Sequence, residues 1–560
     1  MRVLGVNAVF HDPSAALIVD GRVVAAAEEE RFSRRKHGKR PVPFSAWELP
    51  ELAIRWCLAE AGLRAQDLDA VAYSFDPALC SAAGELGLHD PWDHLRQDYA
   101  RRAPWFLAAA MPGLDPDAVR FVPHHVAHAA SAGLLAPAPS SACLVLDGRG
   151  ERASHLSGHY VDGQLEVLAA QALPHSLGLL YEDLTEHLGF LRSSDEYKVM
   201  ALSSYGRPIH LDDFRGLVRT TPDGGFVTEK VDWEAYAPTL RGRPAADERE
   251  LMGVHADLAA SVQRRLEEVL LELARDVRER TGERLLTMAG GTALNCVANT
   301  VLARDAGFEQ VWVQPAAGDA GTALGAAVHV ALELEREGGQ RAFVPEPMTT
   351  AGLGPGWSDA ALAAALEAAA LPYRTPADLA GTVADVLAAD GVVAWFAGRS
   401  EFGPRALGHR SLLAHPGHAH NVERLNAVKG REQFRPVAPV VLLERAAEIL
   451  DGPLPSPFML FVHDVRPAWR ERIPAVVHVD GTARAQTVDP DAEPALAALL
   501  RAFESRTGLP VLINTSLNTA GRPMVDSPRD ALELFGSAPV DLLVLGPHVV
   551  HRGRVAEAAR

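Results

Sequence analysis

Residues 14–27, Ser-Ala-Ala-Leu-Ile-Val-Asp-Gly-Arg-Val-Val-Ala-Ala-Ala, contain two apolar runs that are joined by Asp20-Gly21. Asp-Gly between two such runs is a strong signal of a β-hairpin with a two-residue turn. An apolar segment at residues 3–8 comes before the hairpin and is predicted to be a further strand. The chain is therefore expected to begin with a small sheet.

A second region of the sequence repeats this pattern. Residues 142–147 are an apolar run that ends in a carboxylate, and two more runs flank Asp162-Gly163. Amphipathic helical segments such as residues 258–279 lie beyond these strands. Two strand-and-hairpin units predict an internally duplicated α/β domain. This is the topology of the sugar kinase/actin superfamily, which binds nucleotide between its halves.

The domain boundary is predicted from a stretch that is rich in Gly and Pro, residues 338–358. It divides the chain into two predicted domains, 1–350 and 351–560. Helical patterns and a strand pattern follow one another between residues 359 and 396. The second domain is therefore predicted to be α/β as well.

The composition restricts the classes of protein that the chain can belong to. Its 560 residues carry a formal net charge of -18, which argues against non-specific nucleic-acid binding. No run of about 18 apolar residues and no signal-peptide core is present, so we predict no membrane partner. The four cysteines lack Cys-x-x-Cys spacing, which favours a reducing, cytoplasmic location without a cysteine zinc site. The sequence does not indicate the oligomeric state.

A cationic cluster lies in the second predicted domain. The runs Glu401-Phe-Gly-Pro-Arg-Ala-Leu-Gly-His-Arg-Ser411 and Lys429-Gly-Arg-Glu-Gln-Phe-Arg-Pro436 contain Arg405, Arg410, Lys429, Arg431 and Arg435. Positive charge on backbone that Gly and Pro constrain predicts a phosphate or carboxylate site. The alternative is a solvated basic surface. The segment Asn514-Thr-Ser-Leu-Asn518 follows an apolar run and offers further donors to an anion.

Two histidines and two carboxylates predict a metal site in the first domain. His124 and His128 are four residues apart near the start of a helix, so they share one face. Asp147 at a strand end and Asp319 in a Gly-Asp-Ala-Gly turn complete a set that suits Fe(II), Mn(II) or Zn(II). The alternative is that the histidines are ordinary helix residues that line a pocket.

Two more features follow predicted strands. Gly290-Gly291 comes after the strand at 285–289 and leads through Asn295 into a helix, which is the arrangement of a phosphate loop. His11 follows the first strand and is placed to act as a general base or as a hydrogen-bond donor. The alternative for His11 is a loop histidine in solvent. The charged run 28–37 is either a solvated face or a loop that meets the substrate.

The motifs together resemble a known family. FHDPSAAL, AEEERFSRRKHG, HHVAH, GGTALN, AGDAG, EFGPRALGHRS, FRPVAP and NTSLN occur in collinear order over nearly the whole chain. They are similar to the O-carbamoyltransferases of natural-product biosynthesis and nodulation, of the tobramycin carbamoyltransferase type. The resemblance implies an N-terminal domain that is similar to the tRNA threonylcarbamoyl transferase fold, a metal-containing member of the sugar kinase/actin superfamily. It implies a YrdC-like C-terminal α/β domain.

The resemblance also implies a reaction. The YrdC-like domain would form carbamoyladenylate from carbamoyl phosphate and ATP with Mg(II), and the N-terminal domain would transfer the carbamoyl group to a hydroxyl of a small-molecule acceptor. No nucleic-acid partner is implied. A tRNA threonylcarbamoyl transferase and a non-catalytic nucleotide-binding sensor are the alternatives. The acceptor, the choice between O- and N-carbamoylation and the metal used in the cell remain open, with Fe(II) expected first.

The family motifs place functions on the matching positions of this chain. Transfer chemistry falls on His11 and Lys36, and the metal falls on the two histidines and two aspartates above. Contacts to carbamoyl phosphate and ATP fall on Arg405, Lys429, Arg435, Arg484, Asn514 and Ser516. Nucleotide contacts in the transfer domain fall on Gly290, Gly291, Asn295 and Gly318. For Lys36, Arg484 and Ser516 the resemblance alone decides.

Three motifs depart from the family pattern. Tyr197 stands where Gly is common in Glu-Gly-Lys-x-Met, and His409 stands where Asn is common before Arg-Ser. The turn that usually reads Pro-Gly-Asp-Asn-Gly has Ala317 and Ala320 in place of Pro and Asn. None of them removes an expected ligand or anion contact. They affect the expected shape of the pocket and the acceptor preference rather than the reaction.

Overall fold

The computed structural model describes residues 1–38, 48–88, 90, 92–242, 248–339, 345–553 and 555. The chain divides into two compact units, Met1–Met348 and Thr349–Arg560. Each unit contains mixed α/β structure and a buried apolar core. In the part of the chain that is described, no helix is both long and apolar enough to cross a bilayer.

Unit 1 contains strands and helices in alternation. Its strands are β1 (Arg2–Asn7), β2 (Ser14–Val19), β3 (Arg22–Glu28), β4 (Ala70–Tyr73), β5 (Val119–Phe121), β6 (Ser140–Leu146), β7 (Ala153–Val161), β8 (Gln164–Ala172), β9 (Val218–Thr220), β10 (Phe226–Thr228), β11 (Leu285–Ala289) and β12 (Gln310–Val313). Its helices are α1 (Glu30–Ser33), α2 (Glu51–Glu60), α3 (Asp93–Ala110), α4 (His124–Gly133), α5 (Leu177–His187), α6 (Glu196–Ser203), α7 (Leu211–Leu217), α8 (Glu248–Leu251), α9 (Val254–Thr281), α10 (Cys296–Asp305) and α11 (Ala320–Glu337).

The two main sheets of unit 1 have the same topology. One has the strand order β3-β2-β1-β4-β5 and the other β8-β7-β6-β11-β12. In each sheet the first three strands are antiparallel neighbours, and the last two run parallel to the central strand. β9 and β10 pair separately. The duplicated α/β arrangement predicted from the two hairpins is therefore present in the structure.

The two hairpin turns have the same backbone conformation. Asp20 and Gly21 have φ values of 49° and 83°, and Asp162 and Gly163 have φ values of 51° and 71°. A two-residue turn with two positive φ angles matches the twist of the strands that it joins. Asp and Gly at these positions therefore set the register of both hairpins.

Close backbone contacts hold α4 and α11 in unit 1. α11 packs on β1, on β2 and on α4. A Cβ atom on Gly5 of β1 would lie 1.8 Å from the carbonyl oxygen of Ala323, and one on Gly325 would lie 1.9 Å from that of Ala127. Since only glycine permits these approaches, the positions of the two helices are fixed relative to the first sheet.

Unit 2 contains a large sheet, a small sheet and the helices that cover them. Its strands are β13 (Val393–Phe396), β14 (Arg410–Ala414), β15 (Ala438–Leu442), β16 (Leu450–Asp451), β17 (His463–Val465), β18 (Thr482–Ala483), β19 (Gln486–Val488), β20 (Val511–Ser516), β21 (Leu542–Leu545) and β22 (His548–His551). Its helices are α12 (Asp359–Ala368), α13 (Leu379–Ala388), α14 (Asn421–Lys429), α15 (Leu443–Ile449), α16 (Pro467–Arg470), α17 (Pro494–Thr507) and α18 (Pro528–Ser537).

The large sheet of unit 2 has the strand order β19-β15-β20-β14-β13-β21-β22. Its centre is antiparallel, and β13 with β21 and β15 with β19 are parallel pairs. The small sheet has the order β16-β17-β18. Trp395 of β13 is buried and donates its Nε1–H to the carbonyl of Gly408 at 2.8 Å. This bond fastens the loop between β13 and β14 to the core.

The apolar run before Asn514, residues 509–513, predicts a short strand that ends ahead of the polar segment. The observed strand β20 starts at Val511 and continues through Asn514 to Ser516. β20 lies between β14 and β15, and its ladder continues past the apolar residues because Asn514 pairs with both neighbours. Asn514 and Ser516 therefore lie within the sheet rather than beyond a strand end.

Candidate active site and metal centre

The histidines and aspartates that were predicted to bind metal come together in unit 1. His124 is the first residue of α4, after Pro123, and His128 lies one turn later. Asp147 directly follows β6, and Asp319 directly precedes α11. One ligand atom from each of the four buried residues lies within 4.8 Å of the others. The start of α4, the connection from β6 to β7 and the connection from β12 to α11 therefore produce one cluster.

The distances within the cluster fit a metal ion. Nε2 of His124 lies 3.4 Å from Oδ2 of Asp147 and 3.6 Å from Oδ1 of Asp319, and Nε2 of His128 lies 4.0 Å and 3.7 Å from the same atoms. Ligand atoms at about 2.0–2.2 Å from a common ion are separated by such distances. Both Nε2 atoms are buried, and neither forms a hydrogen bond with any residue that the structure describes. Buried polar atoms that converge in this way are the donor set that a divalent cation satisfies.

Electrostatics keep the two carboxylates of the cluster ionised. Burial and the charge of Asp319 raise the pKa of Asp147. The imidazoles of His124 and His128 lower it by a larger amount, so that the resulting pKa is about 2. Burial also raises the pKa of Asp319, and the neighbouring histidines outweigh it, so that this pKa lies well below its usual range. Both aspartates are therefore anionic ligands at neutral pH.

The residues around the cluster orient its ligands. Nδ1 of His124 lies 3.2 Å from the carbonyl of Ser74, which acts as the acceptor and leaves Nε2 facing the cluster. Oδ1 of Asp147 accepts a hydrogen bond from the backbone N–H of Gly291 at 2.9 Å. Glu151 is buried, and its Oε1 accepts the N–H groups of His124 and Asp76, each at 2.8 Å. This carboxylate caps the helix that carries both histidines.

Glu151→Ala is expected to lower the metal affinity without removing a ligand. The substitution removes the acceptor of the backbone N–H of His124 at the start of α4. Substitutions of residues that orient metal ligands lower metal affinity by about 10- to 100-fold. Competition with a chelator of known affinity measures the effect on Mn(II) or Zn(II) binding. A conservative Glu151→Gln variant keeps one acceptor oxygen and should lose less. Equal affinity in the wild type and in Glu151→Ala would contradict the assignment.

His11 lies near the cluster of four candidate metal ligands, and Lys36 lies near Tyr197. Nε2 of His11 lies 4.0 Å from Oδ2 of Asp319. Burial alone lowers the pKa of His11, and the charges of Asp319 and Asp12 outweigh burial and raise that pKa well above its usual value. Nζ of Lys36 lies 5.8 Å from the ring centroid of Tyr197, a cation–π distance. The tyrosine that departs from the family pattern therefore contacts the lysine that the resemblance singled out.

The predicted nucleotide-binding positions of unit 1 have structural partners. A Cβ on Gly290 would lie 2.1 Å from the carbonyl oxygen of Leu146, so this position requires glycine. The side chain of Asn295 caps α10 and exchanges hydrogen bonds with Gln263. Gly318 lies in the connection before α11, and its carbonyl accepts the N–H of Gly321 at 3.0 Å. These residues shape the strand-to-helix connections that border the metal cluster.

In unit 2 the lysine and the polar residues of β20 are in contact. Nζ of Lys429, at the end of α14, donates to Oγ of Ser516 at 2.8 Å and also to Asn518. Nδ2 of Asn514 donates to the carbonyl of Ala406 at 3.2 Å and to Oε1 of Gln486 at 2.7 Å. Three of the predicted anion contacts, Lys429, Asn514 and Ser516, therefore lie at the C-terminal end of β20, and Asn514 contacts the loop that carries Arg405.

The remaining predicted cations occupy the surrounding loops. The carbonyl of Arg435 accepts a hydrogen bond from Asn426 of α14 at 3.0 Å, and its side chain lies 3.4 Å from Glu432. Arg484 follows β18 and lies near His478. Burial lowers the pKa of His478 to about 4, and the positive charge of Arg484 contributes to this lowering. These residues come from chain segments that are far apart in sequence.

Glu401 shapes the loop of the first cationic motif. This carboxylate is buried, and its Oε1 accepts the backbone N–H groups of Leu407, His409 and Arg410 at 2.7, 3.0 and 3.2 Å. Nε2 of His409 lies 3.0 Å from Glu493. The backbone on either side of Gly408 is therefore folded around one anionic side chain.

Two of the cations in the sequence motifs have structural roles. Arg410 is fully buried, donates to the carbonyls of Ala397, Gly398, His409 and Pro355, and stacks 3.7 Å from the ring centroid of Phe396. Arg431 donates its Nε–H to Oδ1 of Asn426 at 2.6 Å. Arg410 therefore holds the loops around β13 and β14, whereas an anion contact from Arg431 stays a prediction.

Arg410→Met is expected to destabilise unit 2 rather than to impair one chemical step. The variant leaves several buried carbonyls without their donor, and each such loss costs about 1–3 kcal/mol. Urea denaturation followed by tryptophan fluorescence measures the free energy of unfolding. The exposed Arg501→Met should change it by less than about 0.5 kcal/mol. Wild-type stability with loss of activity in Arg410→Met would contradict the structural role.

The comparisons with known proteins identify the class of enzyme. Residues 2–82 and 97–328 match the model of the carbamoyltransferase N-terminus, and residues 384–552 match that of the carbamoyltransferase C-terminus. The chain belongs to the carbamoyltransferase family and is a carbamoyltransferase enzyme. General carbamoyl transfer is therefore its activity.

Its relatives include nodulation proteins. It is 38% identical to nodulation protein NolNO of Sinorhizobium fredii over 98% of this chain and 80% of that protein. It is 39% identical to nodulation protein NolO of Bradyrhizobium diazoefficiens over 77% of this chain and 78% of that protein. The ROK hexokinase of Thermus thermophilus aligns with 60% of this chain and 100% of that chain, at 15% identity and a TM-score of 0.33.

The sequence alone did not reveal several residues of these sites. Glu151 and Glu401 act through backbone N–H groups that are brought to them only by folding. Gln486 donates to the carbonyl of Leu407 at 2.7 Å and holds Asn514. Glu401 begins one of the cationic motifs, but that motif does not show which groups the carboxylate contacts, and no quoted motif contains Glu151 or Gln486. A buried position for a charged or amide side chain is the signal that identifies them, and it requires the structure.

Proposed function

We propose that this chain is an ATP-dependent O-carbamoyltransferase that works in two steps. Unit 2 would form carbamoyladenylate from carbamoyl phosphate and ATP, and unit 1 would transfer the carbamoyl group to a hydroxyl of a small-molecule natural product. The observation that carries the proposal is the pairing of two different polar sites in one carbamoyltransferase: a buried His2Asp2 cluster in unit 1 and a lysine and arginine site in unit 2.

The chemistry favours activation before transfer. Nitrogen donates electrons into the carbamoyl carbon and makes it a poor electrophile, so that it needs a good leaving group. Joining it to AMP supplies one, and the adenylate must then be kept from water until the acceptor arrives. Lys429, with Arg405, Arg435 and Arg484, would neutralise the phosphates of both substrates. A YrdC-like fold for unit 2 is part of this proposal.

In unit 1, His124, His128, Asp147 and Asp319 would hold a divalent cation. When bound, the cation would supply Lewis-acid stabilisation of the carbonyl or phosphate oxygen. Two imidazoles and two carboxylates suit Fe(II), which we propose first, as well as Mn(II) and Zn(II). His11 would take the proton of the acceptor hydroxyl, and Lys36 would face the leaving phosphate. Mg(II) would accompany ATP in unit 2.

The relatives support a small-molecule acceptor. NolNO and NolO are named as nodulation proteins, and the family is defined by carbamoyl transfer. The formal charge of -18 also argues against a tRNA acceptor. A small-molecule hydroxyl is therefore favoured over a tRNA threonylcarbamoyl transferase and over a sensor without chemistry.

Trapping the adenylate tests the proposal. The purified protein is incubated with ATP, Mg(II) and labelled carbamoyl phosphate without an acceptor, and pyrophosphate and carbamoyladenylate are followed. Pyrophosphate release that depends on carbamoyl phosphate, with a labelled adenylate in the mass spectrum, is the expected result. Carbamoyl transfer without ATP consumption would refute the two-step route.

A further inference from the structure

One carboxylate beside the metal cluster holds two imidazoles. Oδ2 of Asp12 lies 2.9 Å from Nδ1 of His11, and Oδ1 of Asp12 lies 2.9 Å from Nδ1 of His37. Nε2 of His37 lies 2.7 Å from Oγ of Ser194. Asp12 is thus the centre of a hydrogen-bonded chain that connects Ser194 to the histidine next to Asp319.

The chain of contacts fixes the tautomer of both rings. An ionised carboxylate only accepts hydrogen bonds, so each Nδ1 must carry its hydrogen. In a neutral ring Nε2 is then the acceptor. His37 accepts the hydroxyl hydrogen of Ser194, and Nε2 of His11 faces Asp319, where the neutral form of the ring offers its lone pair. Asp12 remains ionised because the two histidines lower its pKa well below the usual value, although its burial raises it.

The backbone around Asp12 is built to keep this geometry. Phe10, Asp12 and His37 all have positive φ values, of 54°, 50° and 61°. Non-glycine residues persist in this region only when their surroundings hold them there. Nδ2 of the buried Asn7 donates to the carbonyls of His11 and Asp12 at 3.0 and 2.9 Å.

The second histidine is held in the same way. Oε2 of Glu30 accepts the backbone N–H of His37 at 2.7 Å. Its ring is fixed at both nitrogens, by Asp12 and by Ser194. Both imidazoles are therefore anchored through their backbones as well as through their rings.

We propose that Asp12 is the positioning residue of the transfer site, orienting His11 directly and clamped in place by His37 and Ser194. This inference rests on the proposed function, in which His11 is the base. The acceptor oxygen bonds to the carbamoyl carbon, and its hydrogen moves to Nε2 of His11. The bond from the carbamoyl carbon to the phosphate oxygen of the adenylate breaks, and AMP leaves with that electron pair. Asp12 balances the charge of the imidazolium that forms.

The distances also match those of a Ser-His-Asp nucleophile, with Ser194 as the attacking group. Carbamoylation of Ser194 would give a carbamate ester, however, whose nitrogen again donates into the carbon and which lacks the leaving group that the adenylate provides. Ser194 is therefore assigned to holding His37 rather than to attack. Its hydroxyl connects the turn before α6 to the Asp12 loop.

The tautomers of His11 and His37 can be determined without knowing the natural acceptor of the carbamoyl group. Protein with ¹⁵N-labelled histidine is examined by NMR at a pH where the rings are neutral, and His11→Gln and His37→Gln variants assign the signals. Nδ1–H tautomers are expected for both rings in the wild type. The side chain of Asp12→Asn offers one acceptor oxygen and one N–H donor, so only one imidazole can still donate its Nδ1–H to it. The other imidazole should change to the Nε2–H tautomer. Nε2–H tautomers in the wild type would overturn the proposal.

Comparing water with hydroxylamine as the acceptor of the carbamoyl group distinguishes a positioning role of Asp12 from a general structural role. With water as the acceptor, release of AMP by Asp12→Asn should fall by about 10²–10⁴-fold, because proton removal is impaired. Hydroxylamine attacks as a neutral nucleophile, so formation of hydroxyurea should fall much less. Equal losses with both acceptors, or no loss with water, would refute the role of Asp12.

Two controls complete the experiment. Asp20→Asn makes the same change at an exposed turn with a similar φ of 49°, and it should behave as the wild type. If the wild type forms no AMP from carbamoyl phosphate and ATP, the proposed function fails. The tautomers of His11 and His37 still decide the positioning role in that case, and they need no variant of Asp12 to fold.

Discussion

Asp319→Ala protein is expected to bind essentially no divalent metal, whereas the wild type holds about one ion per chain. Asp319 supplies an anionic oxygen that lies within 3.6–3.7 Å of both histidine Nε2 atoms, and it is buried. Its loss leaves two imidazoles and one carboxylate, and the first turns of α11 contain no other carboxylate that could replace it. Elemental analysis after purification with added Fe(II), Mn(II) or Zn(II) measures the bound metal.

His125→Gln is the matched control for this experiment. His125 lies on the same helix, and its ring centroid is 5.6 Å from that of His124, but it does not belong to the ligand cluster. Burial lowers its pKa to about 3, so it is neutral and its replacement removes no charge. Metal retention in His125→Gln with loss in Asp319→Ala supports the four-ligand site. Full occupancy in a folded Asp319→Ala protein would refute it.

Lys429→Met is expected to reduce carbamoyl-phosphate-dependent pyrophosphate release by about 10²–10³-fold, the usual cost of losing one stabilising donor at a reacting anion. Its ammonium group is held by Ser516 and Asn518 at the C-terminal end of β20, so its charge is fixed in place. Methionine keeps the length of the side chain and removes only the charge and the donors.

The exposed Arg529→Met is the matched control, since it removes one positive charge from the same unit at a helix surface. It should keep the wild-type rate. Circular dichroism of Lys429→Met tests whether unit 2 remains folded. Undiminished pyrophosphate release in a folded Lys429→Met protein would exclude this lysine from the phosphate site.

Much of unit 1 could be predicted because its decisive signals are local. Asp20-Gly21 and Asp162-Gly163 define their hairpins through two adjacent positive φ angles, and no distant contact is needed. The metal cluster was predictable for a similar reason. Its members follow strands or begin helices, where functional side chains of α/β folds converge.

The role of the cations in unit 2 was harder to predict because sequence shows charge but not partners. Arg410 and Lys429 both occur in cationic motifs, yet Arg410 donates to backbone carbonyls inside the fold and Lys429 contacts polar side chains at the C-terminal end of β20. The position of Asn514 within β20 likewise depends on strands that are distant in sequence. The role of Asp12 required three segments to be assembled in space.

The candidate metal ligands are divided between the two duplicated halves of unit 1. His124 and His128 follow the first sheet, whereas Asp147 and Asp319 come from the second half. Neither half carries a complete ligand set, and the repeat did not copy one. A fragment that contained only one half of unit 1 would therefore lack two of the four candidate ligands.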